Sequence, residues 1–508
     1  MHIEANDIHI QEKFSHLQDS FIHQYASIFG NHTSPRCVIV IPSLTLDQQI
    51  LSKIKGHFYY EERMLCMLML LKMPETYLTF VTSIPISSQI IDYYLHMLPG
   101  VSLEDARRRL TLLSCYDAGN ISLTEKVLKR PRIVERIKSS IPDNYPTHLT
   151  FFNVTELERS LAVKLEVPIY GCDPELNYLG TKTGSRSIFH ECSVLTPYGY
   201  EGLKTEDDII QALVDIKKTK PDIQKAVIKM NDGFSGDGNA IFYFHSSPED
   251  HKQLYSWIKN NIAASTKIVA AKLKYTKFIA KFESMGGIVE EFISGDHITS
   301  PSVQCRINPL GETCIISTHD QLLGGESGQV FLGATFPASS AYAVELASIS
   351  HRLSDRMGQL GVRGRFGIDF MSTYIKDAWV HYAIEINLRK GGTTHPYIML
   401  QFLTNGEYIP EEGRFKLEDG SERFYFATDN LENVKYKGLT PMDLLEITLQ
   451  HNLHYDHGKQ EGVMFHLISA LSQFGKIGLV SIGRTMEDAM SYYDSVVKIL
   501  DNETNYTE

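Results

Sequence analysis

A chain of 508 residues is longer than one hydrophobic core usually serves, so we expect about three domains. Hydrophobic residues make up 43% of the chain and charged residues 22%, which is ordinary for a globular protein. The formal net charge is −12 and no long basic stretch occurs, so we expect no nucleic-acid partner and attribute the acidic excess to solubility.

Neither a targeting segment nor a membrane span is predicted. The N-terminus has no basic region followed by an apolar core, so we do not interpret it as a signal peptide. The longest apolar run, Met64 to Leu71, is too short to cross a bilayer and predicts a buried helix. The seven cysteines are dispersed and form no C-x-x-C pair, which favours reduced thiols over disulfides or a zinc site. We therefore expect a cytoplasmic protein.

Strand and helix patterns alternate in the first third of the chain. Residues 1–34 are polar and are interpreted as an extension or leading helix. The following patterns predict helices at 58–72 and 87–97 and strands at 37–42, 77–82, 110–115, 149–152 and 167–170. Such alternation predicts a parallel sheet, so residues 35–178 should form an open α/β domain. Because no G-x-G-x-x-G follows the first strand, a dinucleotide site is not predicted.

The remaining chain has a different pattern. Residues 179–400 are rich in strand patterns and glycine loops and are expected to form a second domain. Residues 401–508 begin with hairpin-like pieces at 413–417 and 422–428 and end with a helix at 485–500. We expect this last part to be a separate α+β domain, so the fold class is multidomain, with an open α/β domain followed by α+β domains.

A lysine and a glycine-rich turn stand out in the middle region. Lys182 lies where an amphipathic helix should begin, and Lys229 ends a strand that a turn joins to the next strand. Glycines allow backbone N–H groups to approach phosphate oxygens, and a lysine on the preceding strand supplies a positive charge. A glycine-rich hairpin is, however, more often only a hairpin, and the G-x-x-x-x-G-K-[ST] pattern is absent.

The segment Gly287 to Gly295 contains an apolar strand, two acids and then further apolar residues. Exposed backbone groups there could bind the edge of a nucleobase while apolar side chains cover its faces. In isolation, an edge strand with two solvated glutamates is at least as good an interpretation of Glu290 and Glu291.

A third pattern predicts a metal site. Residues 364–372 and 379–389 have strand composition and a short polar linker, which predicts a hairpin. Glu385 and Asn387 are two residues apart and share one face, and Asp369 lies in an otherwise apolar stretch. Carboxylates that converge in this way repel each other unless a cation lies between them. Oxygen ligands alone favour Mg²⁺ over Zn²⁺.

Taken in order, these residues resemble the signature of the ATP-grasp superfamily over about 220 residues. Longer strings are similar to the pheganomycin-type peptide ligase family, a group of carboxylate–amine ligases. The strings begin at Thr318, Phe336, Glu385, Val463 and Phe474. The resemblance implies a pre-ATP-grasp-like α/β domain, an ATP-grasp domain and a family-specific C-terminal domain. One departure is Glu291, where many ATP-grasp enzymes have lysine.

The resemblance also implies roles for individual residues. It implies that ATP is bound by Lys182, Lys229, Gly233, Ser235, Gly236, Gly238, Glu290, Glu291, Phe292 and Ile293. The two lysines would hold the α- and β-phosphates and the 233–238 turn would close over them. Glu290, with the backbone of Glu291 and Ile293, would bind adenine. Asp369, Glu385 and Asn387 would hold one or two Mg²⁺ ions, for which Mn²⁺ could substitute.

The expected reaction is the joining of a small-molecule carboxylate to an amine, either an amino acid or a peptide. Arg389 is the catalytic candidate, because its planar guanidinium can grip the carboxylate or the acyl phosphate formed from it. His319, Gln321 and His395 could orient substrate or accept the amine proton, although an ordinary structural role is equally plausible for each. A homo-oligomer is left open.

Two other functions fit the same residues. A phosphotransferase could phosphorylate an alcohol or carboxylate without ligation, and only a ligase's product would change when an amine is supplied. A non-catalytic nucleotide sensor is disfavoured, because the acidic metal set and Arg389 are all retained.

Overall fold

A computed structural model describes residues 2–28, 31, 33–46, 48–52, 54, 56–233, 238–248, 250–270, 273–295, 297–324 and 330–505. Among the helices in these ranges, none combines the length and apolar character needed to cross a bilayer. All seven cysteines lie in these ranges and are free thiols, as the dispersed spacing predicts.

The N-terminal part forms a parallel sheet. Its strands are β1 (Arg36–Ile41), β2 (Thr76–Thr82), β3 (Leu110–Ser114) and β4 (Thr147–Phe151), in the order β3-β2-β1-β4. Its helices are α1 (His2–Ile28), α2 (Gln48–Leu51), α3 (Ser88–His96), α4 (Leu103–Arg108), α5 (Leu123–Leu128), α6 (Pro131–Ser139) and α7 (Glu156–Leu165). The predicted leading helix and open α/β domain are confirmed.

Two sequence predictions in this part need adjustment. The helix predicted at 58–72 is present, but His57–Lys72 has 3₁₀ hydrogen bonding; it is buried, as its apolar run predicts. The strand predicted at 167–170 is wrong, because only a single parallel bridge forms, between Leu149 and Ile169. Pro168 has no N–H group with which to continue a ladder.

A smaller mixed α+β layer follows a 3₁₀ turn at Pro174–Gly180. Its antiparallel sheet has the order β5-β9-β6-β7-β8. These strands are β5 (Gly199–Leu203), β6 (Lys225–Met230), β7 (Asn239–Tyr243), β8 (Thr266–Ile268) and β9 (Gly287–Glu291). The helices are α8 (Lys182–Glu191), α9 (Glu206–Thr219), α10 (His251–Ser265) and α11 (Tyr275–Met285), and α9, α10 and α11 enclose a separate apolar core with this sheet.

A large antiparallel sheet completes the molecule, in the order β14-β13-β10-β11-β12-β17-β19-β18. The strands from β10 onward are β10 (Ile298–Ile307), β11 (Thr313–Gly324), β12 (Val330–Phe336), β13 (Gly364–Ile375), β14 (Ala378–Asn387), β15 (Glu407–Ile409), β16 (Arg414–Lys416), β17 (Phe424–Glu432), β18 (Gly462–His466) and β19 (Lys476–Gly483). The helices are α12 (Ala343–Gln359), α13 (Thr394–Thr404), α14 (Pro441–Gln450), α15 (Leu471–Phe474) and α16 (Met486–Glu503), with 3₁₀ turns at Val434–Gly438 and Ile468–Ala470.

The C-terminal part joins this large sheet. Of the two hairpin-like pieces, the first becomes β16, which pairs with β15, whereas the second becomes β17, which pairs with β12. The helix predicted at 485–500 is α16. Strands β17, β19 and β18 extend the sheet that β10 to β14 begin. Strands from both sides of residue 400 therefore belong to one sheet and, in the described part of the chain, no sheet ends at that position.

Candidate active site

The predicted acidic hairpin forms at one edge of the large sheet. In the β13–β14 register, Asp369 lies opposite Glu385 and Gly367 lies opposite Asn387. Asn387 Nδ2 donates to Asp369 Oδ2 at 2.9 Å and to Glu385 Oε1 at 3.1 Å. Gln321, two strands away on β11, donates from Nε2 to Asp369 Oδ1 at 2.8 Å. The two carboxylates and the amide therefore converge on one face, with Gln321 beside them.

The two carboxylates differ in their electrostatic surroundings. Burial and the charge of Glu385 raise the pKa of Asp369 to about 6. Burial also opposes ionisation of Glu385, but the adjacent Lys182 and the charge of Lys229 hold its pKa at about 2. A cation at this point would relieve the repulsion that disfavours ionised Asp369. The donor atoms are all oxygens, so the site fits Mg²⁺.

Lys182 approaches this acidic hairpin from the first turn of α8. Its Nζ pairs with Glu385 Oε2. The turn is capped by Thr181, whose Oγ1 accepts from Gly184 N at 3.0 Å. An ideal Cβ at Gly184 would overlap the carbonyl oxygen of Tyr178, so the close approach of the chain here requires glycine. The helix start thus places a lysine against the carboxylates.

The second lysine lies on the smaller sheet. Lys229 Nζ is 2.6 Å from Glu290 Oε1, and Arg186 Nη1 is 3.1 Å from Glu290 Oε2. Glu290 is 2% exposed and lies on β9, between β5 and β6. The interpretation of β9 as an edge strand with two solvated glutamates is therefore wrong. The carboxylate of Glu290 forms ion pairs with two basic side chains, those of Lys229 and Arg186.

The glycine turn connects β6 and β7, which pair as predicted. Met230 N donates to Gly238 O at 3.0 Å at the base of the turn, and Gly233 is exposed. Ser235 and Gly236 lie outside the described residues. Asn231 joins the turn to α8, because its Oδ1 accepts from Thr183 N at 3.0 Å.

A cavity of about 520 Å³ lies between the smaller sheet and the β13–β14 hairpin. Its walls include three residues that the resemblance assigned to ATP, Glu291, Phe292 and Ile293. The other lining residues are Lys220, Asp222, Ile223, Gln224, Lys225, Ser294, Thr373, Ile375 and Tyr382. Glu291 Oε2 pairs with Lys220 Nζ, so a positive charge is retained beside the position where lysine is common. Phe292 N donates to Lys225 O at 3.2 Å.

The sequence had suggested that Arg389 lies on the same strand as Glu385 and Asn387. In the structure β14 ends at Asn387, so Arg389 lies two residues past the end of that strand. Its guanidinium nevertheless reaches the predicted side, because Nη2 donates to Asn387 Oδ1 at 3.1 Å. The same guanidinium lies 5.9 Å from the ring centre of Phe152, and that of Arg63 lies 4.6 Å from the same ring. Two arginines thus flank one aromatic ring beside the acidic hairpin.

The three substrate candidates are placed differently. Gln321 is at the acidic hairpin. His319 is fully buried among aromatic rings, with Nε2 2.7 Å from Tyr425 Oη, and burial lowers its pKa to about 3. His395 Nε2 is 2.9 Å from His466 Nε2 and 3.4 Å from Asp429 Oδ1. The geometry therefore favours a packing role for His319.

The sequence did not indicate Arg186, Arg63, Asp429 or His466 as site residues. His466 lies inside the string beginning at Val463, and Arg186 lies four positions after Lys182, so sequence near both residues held a usable signal. Arg63 and Asp429 are 366 positions apart and lie in no recognisable pattern. Only the folded structure brings them together.

Comparison with protein families gives two matches. The model described as "IQCH-like, ATP-grasp" matches residues 174–274 and 262–408, and the "PGM1 C-terminal domain" model matches residues 443–496. The L-propargylglycine–L-glutamate ligase of Streptantibioticus cattleyicolor is 27% identical over 462 residues, covering 89% of this chain and 92% of that protein. The IQ motif-containing protein H of Danio rerio is 22% identical over 67% of this chain, which spans 36% of that protein.

Solved structures with a similar fold cover nearly the whole chain. The biotin carboxylase–β,γ-ATP complex from Campylobacter jejuni has a TM-score of 0.55, 11% identity and coverage of 94% of this chain and 98% of that one. The biotin carboxylase domain of the Hydrogenobacter thermophilus 2-oxoglutarate carboxylase, solved with MgADP, has a TM-score of 0.54, 12% identity and coverage of 93% and 96%. The predicted fold and the resemblance on which it rested are confirmed.

Proposed function

Because the chain belongs to the ATP-grasp superfamily, we propose that it is an ATP-dependent carboxylate–amine ligase that forms an acyl phosphate and releases ADP and phosphate. The observation that carries the proposal is the acidic hairpin, where Asp369, Glu385, Asn387 and Arg389 meet. The match to an amino-acid ligase over 89% of the chain supports the same reaction.

We propose that the nucleotide binds in the cleft between the two sheets. Glu291, Phe292 and Ile293 line the cavity and are proposed to hold adenine. Lys182 and Lys229 both act electrostatically on Glu385 and are proposed to neutralise phosphate oxygens near it. Glu290 is engaged by Lys229 and Arg186, so we propose that it positions Lys229 as well as bordering the adenine site. The glycine turn, including Gly233, Ser235, Gly236 and Gly238, is proposed to cover the phosphates.

Magnesium, which the fold's MgADP-bound neighbour contains, would be held by Asp369, Glu385 and Asn387. When bound, it neutralises negative charge on the β- and γ-phosphates. Asn387 orients both carboxylates by donating to each, and Gln321 holds the second oxygen of Asp369. These contacts keep the carboxylates in place before a cation arrives.

The chemical difficulty is that a carboxylate must attack an anionic phosphate. Arg389 carries a permanent charge and two N–H edges, and it lies against Asn387. We assign it the task of holding the substrate carboxylate and the acyl phosphate that forms from it. The amine then attacks the acyl carbon, the C–N bond forms, and phosphate leaves with the electron pair of the C–O bond.

The substrates proposed are two small amino acids or an amino acid and a peptide, by analogy with the relative's printed activity. We also propose a cytoplasmic location and four segments: an extension at 1–34, a pre-ATP-grasp-like domain at 35–178, an ATP-grasp domain at 179–400 and a C-terminal domain at 401–508. The family match at 174–408 supports the third segment.

Trapping of the intermediate tests the reaction. The purified protein is incubated with Mg·ATP, individual amino acids and hydroxylamine, and hydroxamate, ADP and phosphate are quantified. We expect hydroxamate and ADP in equal amounts with the correct carboxylate, and a dipeptide when the amine replaces hydroxylamine. AMP and pyrophosphate would contradict the acyl-phosphate route. A phosphorylated product that no amine alters would identify a phosphotransferase.

A further inference from the structure

A second cluster of buried polar residues lies outside the nucleotide cleft. His395 is in the first turn of α13, Asp429 is on β17 and His466 ends β18, and the three are 3%, 7% and 1% exposed. Their side-chain atoms converge: Nε2 of His466 is 2.6 Å from Asp429 Oδ1, and the two Nε2 atoms are 2.9 Å apart. Three separate segments thus place two imidazole nitrogens and one carboxylate oxygen at one point.

Hydrogen bonding alone satisfies this arrangement poorly. The ring centres are 4.3 Å apart and the ring planes meet at 71°, so the imidazoles meet corner to corner and not head-on. If both Nε2 atoms carry hydrogen, both donate toward the same oxygen of Asp429. If one does not, its lone pair faces that oxygen or the other ring. In the first case the bond from His395 is long, at 3.4 Å, and the two N–H groups crowd each other with their nitrogens 2.9 Å apart; in the second case a buried lone pair faces another acceptor, which costs free energy.

We propose that His395, Asp429 and His466 together bind one divalent transition-metal ion. Zn²⁺ is the ion with which the experiments below test this site. Two imidazole nitrogens and one carboxylate oxygen, with a fourth position for water or another ligand, form a donor set that zinc commonly adopts. Magnesium prefers oxygen ligands alone, so this site differs in kind from the acidic hairpin. The inference rests on side-chain geometry and does not depend on the proposed ligase reaction.

Two neighbouring residues fit a metal site. Arg63 Nη1 lies 3.3 Å from Asp429 Oδ2, the carboxylate oxygen that faces away from the histidines, and metal-binding carboxylates are typically held in this way. Gly478 lies opposite His466 in the β18–β19 register. An ideal Cβ at Gly478 would overlap the His466 ring, so glycine is required for the imidazole to lie across the neighbouring strand.

The site would also connect distant parts of the chain. His395 follows Arg389 by six positions, and the metal would fix this segment to β17 and β18 of the C-terminal part. Arg63, which bonds Asp429, shares the Phe152 ring with Arg389. The ion is therefore assigned a positioning role, in that it holds the start of α13 and, through it, the arginine beside the acidic hairpin.

Metal content tests the proposal without any enzymatic assay. The 508-residue chain, freed of any affinity tag, is dialysed against buffer to which Zn²⁺ has been added and then against metal-free buffer, and bound metal is measured by mass spectrometry. We expect about one equivalent of zinc per chain, and visible absorption bands when Co²⁺ replaces it. Asp369→Asn should retain this zinc, which separates the site from the Mg²⁺ site and from the proposed reaction.

Variants decide whether these residues bind the ion. His466→Gln and Asp429→Asn should lose the zinc, and Gly478→Ala, which alters no ligand atom, should weaken Zn²⁺ binding by about 10- to 100-fold. His351→Ala is the matched control, because His351 has an aspartate partner, Asp355, but is exposed and should leave zinc content unchanged. Circular dichroism establishes that each variant is folded. Zinc binding that is absent, or equally strong in folded His466→Gln, would overturn the proposal and leave a hydrogen-bonded histidine pair.

Discussion

Asp369 and Glu385 face each other across a half-buried hairpin, and their proximity has an electrostatic cost that a cation removes. The spacing in the sequence was enough to predict this pair, because both residues lie on one hairpin and strand alternation fixes their faces. Arg63, Asp429 and His466 could not be predicted as a group, since they come from three elements far apart in the chain. Their side chains meet only through tertiary packing.

Replacing the carboxylates should remove turnover and preserve the fold. Asp369→Asn and Glu385→Gln keep the size and one acceptor oxygen of each side chain but remove charge where phosphate charge accumulates, so we expect turnover to fall by about 100-fold or more. Phosphate release and thermal unfolding are the measurements. Asp377→Asn, in the turn of the same hairpin, is the control, because asparagine tolerates its positive φ of 63°. Normal turnover in both folded site variants would refute the metal assignment.

Arg389 separates substrate activation from nucleotide binding. Arg389→Lys keeps the charge but loses the two-edged guanidinium, so kcat should fall by about 100-fold while KM for ATP changes by less than about 3-fold. Steady-state kinetics with ATP varied at saturating carboxylate provide both constants. A large rise in KM for ATP at unchanged kcat would instead make Arg389 a nucleotide ligand.

Glu62 should make stability depend on pH. Burial raises its pKa to about 7, although the backbone N–H of Ser469 donates to it at 3.2 Å. The folded protein therefore binds this proton more tightly than the unfolded chain. The contribution of Glu62 to stability is fully present below about pH 4.5 and is lost as the pH rises through 7. Glu62→Gln should stabilise the protein by up to about 3 kcal/mol at pH 8 relative to its effect at pH 5. Melting temperatures across this range, with exposed Glu104→Gln as control, should show the difference; a pH-independent effect would contradict it.

At the scale of elements, α8 is the part that brings Lys182 to Glu385. The sequence predicted where this helix begins, because an amphipathic pattern opens at Lys182, but could not show how closely the preceding 3₁₀ turn approaches it. The β9 strand illustrates the opposite case, since local sequence could not establish that it lies between two others. The positions of strands within a sheet depend on contacts between distant segments.

Gly184→Ala tests the importance of that close approach. The added Cβ would overlap the carbonyl of Tyr178, so α8 must shift and carry Lys182 away from Glu385. We expect a destabilisation of about 1–3 kcal/mol and a rise in KM for ATP of 10-fold or more. Differential scanning fluorimetry and kinetics measure the two effects. Gly438→Ala, where a Cβ meets nothing within 4 Å, serves as the matched control.

At the scale of the whole molecule, the C-terminal part completes the large sheet. The sequence suggested a separate domain after residue 400, because its pattern changes there. The two family matches also divide in that region, one ending at residue 408 and the other beginning at residue 443. In the structure, β17 pairs with β12 through Ala427 opposite Ala334, and β19 and β18 follow. Sequence pattern predicts elements, but it does not reveal that strands on either side of a change in pattern belong to one sheet.

A fragment that ends at residue 400 should therefore fail to fold as a unit. Removal of β17 would expose the backbone of β12 and uncover Phe336, which stacks on Tyr425 with ring centres 4.7 Å apart. An open, apolar sheet edge of this kind promotes aggregation. We expect the fragment 1–400 to be insoluble or to unfold without cooperativity, whereas the full chain unfolds cooperatively. Solubility, calorimetry and ATP binding of the two proteins provide the comparison. A soluble fragment with a sharp transition and undiminished ATP affinity would contradict this expectation. It would show that residues 1–400 fold independently and that β17 to β19 pack against them without being needed for folding.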